Sequence, residues 1–329
     1  MRIVAIRASR TPPGLQPQHL VAIKAVAELS GAEVKGAELG SGEIEFTPHQ
    51  LRSGDFRFDI GTAGSTTLVL QALMPSMAYA PGKVVVEVVG GTNNPFAPPI
   101  EFLQYILLPS LRRLGYEASV EIFKRGFYPK GGGIIRAYSN PVKKLRPITL
   151  IDRGEVTKIR GYSFTSRLPS AVGKRMASGA KTVLRKKGYR DISIENESRK
   201  YWEARCAKNE GSGIFIYAET ATGDLIAADA LGKKGTPDQS TGWDVAQALL
   251  RQLETNAAVD RHLADQLIVW AAMADGTSTI RTTRLTSHTM TCLEVSKMIL
   301  GTRYQIDGKV NDPATITIEG KSVENKALP

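Results

Sequence analysis

Cysteine is scarce in this sequence: Cys206 and Cys292 are the only two among 329 residues. Two residues so far apart form no disulfide framework and do not have the spacing of zinc ligands. Few cysteines are typical of reducing compartments, so we expect a cytoplasmic location. Histidine is almost as rare, with four residues.

Long apolar runs are also missing. No uninterrupted stretch approaches the roughly 20 apolar residues of a membrane-spanning helix, so we expect no membrane partner. The first residues, 2–7, are rich in β-formers and predict a strand rather than a secretory signal. A hydrophobic content of 42% and a charged content of 23% are typical of a globular protein. The length predicts one large or two ordinary domains.

Acidic residues are outnumbered, which gives a formal net charge of +11. The excess is uneven: the stretch from Arg153 to Lys208 holds 15 Lys and Arg against 5 Asp and Glu. Such a balance favours a polyanionic partner such as RNA or DNA. A solvated basic face would have the same composition, so charge alone leaves both interpretations open.

Apolar spacing and Gly/Pro punctuation predict alternating helices and strands, which is typical of α/β layers. The order is clearest in the second quarter of the chain. There we predict a strand at 55–60, a helix at 66–77, a strand at 83–89, a helix at 100–114, and strands at 118–124 and 133–138. This β-α-β-α-β-β order recurs near the end of the chain once a basic stretch is set aside.

We therefore predict an α/β fold of three βαβαββ repeats that form one large domain, with a small α/β insert in the third repeat. The large domain would comprise residues 1–160, with repeats 1 and 2, and residues 239–329, with repeat 3. The basic insert would comprise residues 161–238. The first repeat lacks its opening strand and helix, which would expose a sheet edge. We therefore expect that the chain starts about one βα unit late.

The stretch Leu285–Thr291 places His288 between a predicted strand at 277–283 and a predicted helix at 293–300. Helix N-termini have unpaired N–H groups that favour anions such as phosphate. A neutral imidazole at such a place suits a nucleophile. The alternative is a polar residue in a Ser/Thr-rich cap region.

A second candidate lies upstream, in a helix that we predict over 259–274. His262, Asp265 and Gln266 are spaced i, i+3, i+4 and therefore share one face. Such a face offers a ring that can stack on a base and polar groups that can bind it. The alternative is an ordinary amphipathic helix with a polar outer face.

Two further places suit phosphate. Gly61–Ser65 is a small-residue turn into a helix that contains Gln71, and such turns can cradle phosphate, although this one fits neither the P-loop nor the Rossmann pattern. A tight turn is the alternative.

Near the N-terminus, Arg7 and Arg10 precede a helix that starts with Gln18 and His19. Guanidinium groups bind phosphate oxygens bidentately, so these residues make a candidate phosphate clamp. Surface charge is the alternative. Other chemistries find less support, because the sequence has no G-x-S-x-G turn and no Cys/His cluster, and His49 has no evident partner.

Taken together, these segments resemble the RNA 3′-terminal phosphate cyclase family almost from end to end. The resemblance rests on Ile6–Arg10, Pro13–Leu20, Ile60–Ser65 with Leu70-Gln71, Gly90–Pro95 with Ala97–Pro99, Gly126–Pro129 with the glycines after it, Leu263–Leu267, and Ser287-His288. Each motif is weak alone, and their joint order and spacing are specific. The repeats with an insert are the fold that the family implies.

The resemblance also implies a ligase-like reaction at RNA 3′ ends. The histidine matching His288 attacks the α-phosphate of ATP, which gives a covalent histidine–AMP and pyrophosphate. The AMP then passes to the terminal 3′-phosphate of RNA, and the neighbouring 2′-OH displaces it to give a 2′,3′-cyclic phosphate. Covalent catalysis splits one difficult displacement into easier steps. A divalent metal, Mg or Mn, would neutralise the triphosphate charge.

Carried over by position, the family's roles fall on two sets of residues. The ATP pocket would be formed by Gln71, Pro99, His262, Leu263, Ala264, Asp265 and Gln266. The RNA terminal phosphate would be held by Arg7, Arg10, Gln18 and His19. No metal ligands are assigned.

Three features depart from the family pattern. The usual N-terminal segment, which carries an acidic metal contact and a phosphate-binding arginine, is missing, and this puts full activity in doubt. The tyrosine of the nucleotide helix is replaced by His262, whose ring can still stack on adenine. The asparagine that often follows the nucleophile by four residues is replaced by Cys292.

Two other classes of protein remain as alternatives. A non-catalytic RNA-binding relative of ribosome assembly would keep the fold but lack the nucleophile, so the presence of His288 argues against it. An enolpyruvyl-transferase-like enzyme has similar repeats, but the basic insert does not suit it. Monomer and homodimer both remain open.

Overall fold

Four β-sheets, each accompanied by at least one helix, make up the structure, a computed structural model that describes residues 1–329. The α/β class predicted from the sequence is confirmed. Fifteen strands and seven helices alternate along the chain, if the bent helix after residue 100 is counted once. No helix is both long enough and apolar enough to cross a lipid bilayer.

The first sheet has three antiparallel strands in the order β1-β3-β2. Its elements are β1 (Arg2–Ile3), α1 (Pro17–Leu29), β2 (Glu33–Lys35) and β3 (Ile44–Thr47). The strand predicted over residues 2–7 is wrong beyond Ile3. Ala5 and Arg7 have φ angles of 55° and 54°, which are left-handed and cannot continue a strand.

The second sheet has the order β4-β5-β7-β6, in which β4 and β5 are parallel and the other pairs are antiparallel. Its elements are β4 (Gly54–Asp59), α2 (Thr66–Ala78), β5 (Val84–Gly90), α3, β6 (Ala118–Lys124) and β7 (Gly133–Ser139). Val84, Val86 and Val88 alternate along β5, so they share one face of the strand, and that face is fully buried in the large core, whereas Val85 and Glu87 on the other face are half-buried.

Helix α3 is continuous but changes its winding. It consists of Ile100–Phe102, a π-helical stretch at Leu103–Leu107, and Leu108–Arg113. Pro109 follows the π-helical stretch and has no N–H for an α-helical bond to Tyr105. In α2, by contrast, Pro75 does not end the helix, which continues to Ala78.

A short strand, β8 (Thr149–Leu150), is followed by a third sheet of order β10-β9-β11-β12. We use the name insert below for this sheet and its two helices, residues 156–253. Strands β9 and β10 are parallel, and the other pairs are antiparallel. The elements are β9 (Val156–Ser166), α4 (Ser170–Lys186), β10 (Ile192–Arg199), β11 (Gly211–Thr220), β12 (Leu225–Leu231) and α5 (Asp238–Leu253).

Both helices of the insert pack on its sheet around a separate core that includes Met176, Ile216 and Val245. Helix α5 approaches α4 so closely that a Cβ at Gly242 would lie 2.0 Å from the carbonyl oxygen of Met176. Helix α5, whose residues lie almost entirely beyond position 238, thus packs against α4. The division into residues 1–160, 161–238 and 239–329 stays a prediction.

The last sheet has the order β14-β15-β13-β8, and only β8 and β13 are parallel. Its further elements are α6 (Arg261–Met273), β13 (Thr277–Thr282), α7 (Ser287–Leu300), β14 (Arg303–Asp307) and β15 (Ala314–Glu319). Starting from β8, this sheet repeats the strand order and directions of the second sheet. One core of 41 residues joins the two sheets, and Trp270 stacks on Tyr116 at 5.0 Å within it.

A buried ion-pair network fixes the insert to α3. The guanidinium of Arg125 donates to Glu101 of α3 at 2.5 Å and to Glu197 of β10 at 2.8 Å. It also lies 4.1 Å from the centroid of the Phe164 ring. Because Arg125 and Glu101 are both buried, each depends on the other for compensation of its charge.

This network predicts the cost of removing its cation. Arg125→Met leaves the Glu101 carboxylate buried without a counter-charge, so we expect a loss of about 3–5 kcal/mol in the free energy of unfolding. Denaturant titration measures it. The control is Arg160→Met, which removes a half-exposed pair with Glu219 and should cost at most about 1 kcal/mol. Similar losses in the two variants would contradict the role of burial.

Candidate functional site

His288 lies in the first turn of α7. The helix begins at Ser287 rather than at residue 293, because Thr286 caps it: the Thr286 hydroxyl accepts from the Thr289 N–H at 3.1 Å. The His288 side chain is exposed. The imidazole therefore stands at an open helix N-terminus, where the dipole favours negative groups.

The neighbouring helix α6 is held by the buried carboxylate of Asp260. One Asp260 oxygen accepts from the backbone N–H groups of His262 and Leu263, both at 2.8 Å. The other accepts from the N–H of Ala227 in β12 at 3.3 Å. Asp260 thus fixes the start of α6 and ties it to the insert. Asp260 was not among the predicted site residues, although an Asp before a helical run is an N-cap signal.

Helices α6 and α7 pack against each other. Four titratable side chains come together between them: His262 and Asp265 of α6, and His288 and Cys292 of α7. Burial raises the pKa of Asp265 to about 6, while its hydrogen bond from Gln266 and the nearby His288 oppose the rise. Desolvation by the surrounding protein lowers the pKa of His262. The Asp260 carboxylate opposes the lowering, and the charges of Arg261 and His288 add to it. His288 is thus close enough to His262 and Asp265 for their charges to interact.

Cys292 lies one turn after His288 on α7. Burial raises the pKa of its thiol to about 11, and the Asp265 carboxylate adds to the rise. At neutral pH the thiol is therefore protonated and is a poor nucleophile. Of the two adjacent side chains on this face, the imidazole is the group that can attack an electrophile.

Leu263 and Ala264, which were also predicted to line the ATP pocket, do not present their side chains to it. The side chains of Leu263 and Ala264 are buried in the large core. Only their backbone atoms could face a ligand. Gln266 is half-buried, and its amide nitrogen donates to Asp265 at 2.8 Å.

A second set of predicted residues converges at the N-terminus of α2. The Ser65 side chain caps this helix, and its own N–H donates to the side-chain oxygen of Gln18 at 2.9 Å. The hydroxyl of Thr67 donates to the carbonyl of Pro98 at 2.7 Å, next to Pro99, which precedes α3. The N-termini of α1 and α2 and the start of α3 are thus linked.

Gln71 lies one turn beyond Thr67 on the same face of α2. Its side-chain nitrogen is buried and has no hydrogen-bond partner in the chain. Buried polar atoms are almost always paired, so the lone donor of Gln71 is a group that a ligand could satisfy.

Arg7 and His19 form the outer part of this set. The N–H of Gln16 donates to Nδ1 of His19 at 3.1 Å, so the neutral ring carries its proton on Nε2. Burial and then the Arg7 charge lower the pKa of His19. The Nε of Arg7 is itself buried without a partner. Arg10 is exposed and makes no side-chain hydrogen bond or ion pair, so the protein itself does not hold it in the site.

The start of α3 and the start of α6 lie near each other, since the middle of α3 packs against α6. Asp229 of β12 is exposed and lies near both starts; the surrounding protein and then the carboxylates of Glu101 and Asp260 raise its pKa to about 6, while Arg261 opposes the rise. Glu101 belongs to the start of α3 and Asp260 to the start of α6. The start of α3, next to Pro99, therefore lies close to the helix that carries His262.

The raised pKa of Asp265 predicts a pH-dependent stability. Its carboxyl is protonated in both states below about pH 4, and the folded state disfavours its ionisation up to pH about 6. Asp265→Asn should therefore match the wild type near pH 4 and exceed it by about 1–2 kcal/mol at pH 8. Denaturant unfolding at several pH values measures the difference.

Asp275→Asn is a control of opposite sign. A hydrogen bond from Ser322 and the charge of Lys144 lower the pKa of the exposed Asp275 carboxyl. Its contribution to stability is therefore present above about pH 4, and its replacement should not stabilise the protein at any pH. A gain from Asp265→Asn that did not change with pH would contradict the assignment to ionisation.

The chain is similar to proteins of one family. Residues 1–306 match the family described as RNA 3′-terminal phosphate cyclase. A protein of that name from Hyperthermus butylicus is 43% identical over 325 residues, which cover 97% of this chain and 90% of that protein. Those from Ignicoccus hospitalis and Methanopyrus kandleri are both 41% identical, with the same coverage. This chain belongs to the RNA 3′-terminal phosphate cyclase family.

Proposed function

We propose that this chain is an ATP-dependent RNA 3′-terminal phosphate cyclase. It would convert an RNA 3′-phosphate to a 2′,3′-cyclic phosphate through a covalent histidine–AMP and an RNA-adenylate. The observation that carries the proposal is the position of His288 at the open N-terminus of α7, facing His262 and Asp265 of α6. The names of the similar proteins support the same reaction.

In the first step, an imidazole nitrogen of His288 would attack the α-phosphorus of ATP. The new N–P bond forms as the bond from that phosphorus to the pyrophosphate oxygen breaks. Backbone N–H groups at the start of α7 point toward the phosphate, where negative charge develops. The carboxylate of Asp265 is close enough to the ring to favour the positive charge that His288 gains as it attacks.

The nucleotide would lie between α6 and the start of α3. His262 offers a ring for stacking on adenine, and Pro99 offers a rigid apolar surface on the other side. The buried, unpaired amide nitrogen of Gln71 fits a ligand acceptor at this place. Leu263 and Ala264 would contribute through backbone atoms, and Asp265 and Gln266 through their paired side chains.

The RNA end would bind at the N-termini of α1 and α2. Arg7 and His19 each have a donor there that makes no hydrogen bond within the chain, and Gln18 joins them to the capped start of α2. A terminal phosphate oxygen would attack the histidine-bound phosphorus and release His288. The 2′-OH would then attack the terminal phosphorus and release AMP. Arg10 would reach the phosphate only after it moves from its exposed position.

A divalent metal, Mg²⁺ or Mn²⁺, would neutralise the triphosphate when bound. The chain itself has no group of three or more His, Cys, Asp or Glu side chains that could hold a metal ion. The protein residues present do not form a metal cage, so the roles proposed above rest on side chains and backbone N–H groups alone.

Protein labelling tests the nucleophile. Incubation with ATP labelled at the α-phosphate should give protein-bound AMP that is labile to acid and stable to base, as expected for a phosphorus–nitrogen bond. His288→Ala should abolish the label. His49→Ala removes an exposed histidine whose neighbour is Glu33 and should label normally. Label that persists in His288→Ala, or that never forms in the wild type, would contradict the proposal.

The amide of Gln71 predicts a change in nucleotide affinity. Gln71→Leu removes one hydrogen bond to the ligand, so the ATP concentration that gives half-maximal labelling should rise about 3- to 10-fold. The final extent of labelling at saturating ATP should stay the same. Gln305→Leu, an exposed site on β14, is the matched control. An unchanged ATP dependence in Gln71→Leu would exclude this residue from the pocket.

A further inference from the structure

The insert carries two exposed aromatic rings that no core requires. They belong to the segment of residues 200–209, which joins β10 to β11 and which we name the aromatic loop. Tyr201 is 69% exposed and Trp202 is 64% exposed. Their rings meet edge to face at 4.8 Å, and the Lys200 ammonium lies 5.0 Å from the Trp202 ring centroid. Trp270, by contrast, is fully buried.

The surface around the aromatic loop has a surplus of unpaired positive charge. Arg199 just before the loop is neutralised by Glu197 and Glu203. Several cations around it have no carboxylate within ion-pair distance: Lys130, Arg167, Lys200, Arg205 and Lys208. A cluster of unpaired cations beside exposed rings is the combination that binds single-stranded nucleic acid.

The loop is continuous with the phosphate end of the candidate site. The Lys208 side chain lies on Gly132, where a Cβ would come 2.5 Å from the lysine Cε. Next to it, a Cβ on Gly131 would lie 2.5 Å from the carbonyl oxygen of Thr62. Thr62 belongs to the turn that leads into α2, whose first N–H groups lie beside Gln18.

A third exposed ring stands along this path. Tyr128 is 74% exposed, and its carbonyl accepts from the Asn209 amide at 2.9 Å. On the other side, Arg167 donates to the carbonyl of Lys208 at 3.3 Å. Tyr128 and Arg167 therefore flank the end of the aromatic loop.

Unpaired buried polar atoms follow the same line. Five such side-chain atoms occur in the chain, and four of them lie along it: in Gln71, Arg7, Asn94 and Asn209. Asn94 is tied to the turn before α2 by its donor to the Ala63 carbonyl at 2.5 Å. Gln71 and Arg7 are accounted for by the nucleotide and the terminal phosphate, but Asn94 and Asn209 are not. Because native chains seldom leave buried polar atoms unpaired, these two point to a ligand that extends past the phosphate.

We propose that the aromatic loop and Tyr128 form a track for the single-stranded RNA that precedes the terminal phosphate. The inference rests on the proposed cyclase function and extends it to upstream nucleotides. Bases stack on Trp202, Tyr201 and Tyr128, and backbone phosphates contact Lys208, Arg167 and Lys200. Only unpaired bases offer their faces to such rings, so the track selects single strands over duplexes and tolerates different sequences.

Binding of RNA strands of different length tests the track. Wild-type protein should bind a 3′-phosphorylated oligonucleotide of about ten nucleotides more tightly than a dinucleotide 3′-phosphate, because each stacked base adds affinity. Trp202→Ala should weaken binding of the longer strand about 5- to 150-fold. It should leave the dinucleotide unaffected. Fluorescence anisotropy or calorimetry measures both.

Two substitutions make the test specific. Trp202→Phe keeps an aromatic face and should retain most of the affinity. Trp243→Ala removes a tryptophan that is 43% exposed on α5 of the same insert and should change nothing. A longer strand bound equally well by Trp202→Ala and wild type, or a duplex bound in preference to a single strand, would overturn the proposal.

The salt dependence of RNA binding tests whether Lys200 and Lys208 contact backbone phosphates. Lys200→Gln with Lys208→Gln should reduce the slope of log K against log salt by about 0.7 for each phosphate that these two lysines neutralise. The matched control is Lys186→Gln with Lys187→Gln. These two lysines lie at the far end of α4, about 24 Å along the helix from Ser170. Arg167, just before Ser170, contacts the aromatic loop. Equal slopes in the two double variants would contradict the track.

The result is separable from that of the cyclase reaction. The labelling of His288 by ATP requires no RNA and should be the same in Trp202→Ala and wild type. If labelling fails in both while Trp202→Ala still weakens binding of the longer strand, the nucleophile assignment is lost and the track stands. If labelling succeeds and the longer strand binds no better than the dinucleotide, the track is lost and the nucleophile stands.

Discussion

The buried carboxylate of Asp260 is the interaction on which the candidate site depends. Its two oxygens bind the first N–H groups of α6 and a backbone N–H of β12. One side chain therefore sets the direction of α6 and its contact with the insert. His262 and Asp265 follow on the same helix, and their position opposite His288 results from that anchoring. A helix end left uncapped in this interior would leave N–H groups without partners.

The topology explains why several helix N-termini gather in one region. In the second sheet, β4 and β5 are parallel, so the helices that follow them begin at the same sheet edge. Strands β8 and β13 have the same relation in the last sheet, and there the helix after β13 carries His288. Phosphate groups suit such an edge, because the N–H groups and the dipoles of several helices point toward it. The unpaired lysines and arginines around the aromatic loop of the insert lie next to that edge.

Much of the fold could be predicted from the sequence because its signals are local. The periodic apolar residues of α2, the continuous valines of β5 and the glycine punctuation between elements each identify one element. The strand predicted over residues 2–7 failed, because a left-handed backbone at Arg7 follows from contacts with the loop before α1 rather than from β-propensity. The packing of helix α5 on the insert could not be predicted, since its period reveals an apolar face but not the partner that covers it.

The candidate site, like the fold, could be predicted only in part. The sequence by itself determined the residue types: a histidine before a helical run, a polar helical face at His262–Gln266, and small residues at the turn before α2. Tertiary structure alone decided that Leu263 and Ala264 point into the core, that Gln71 has an unpaired donor, and that the aromatic loop joins the path to Gln18. Spacing along a helix fixes which side chains share a face. Which elements that face meets is decided by packing between distant parts of the chain, and no local pattern records it.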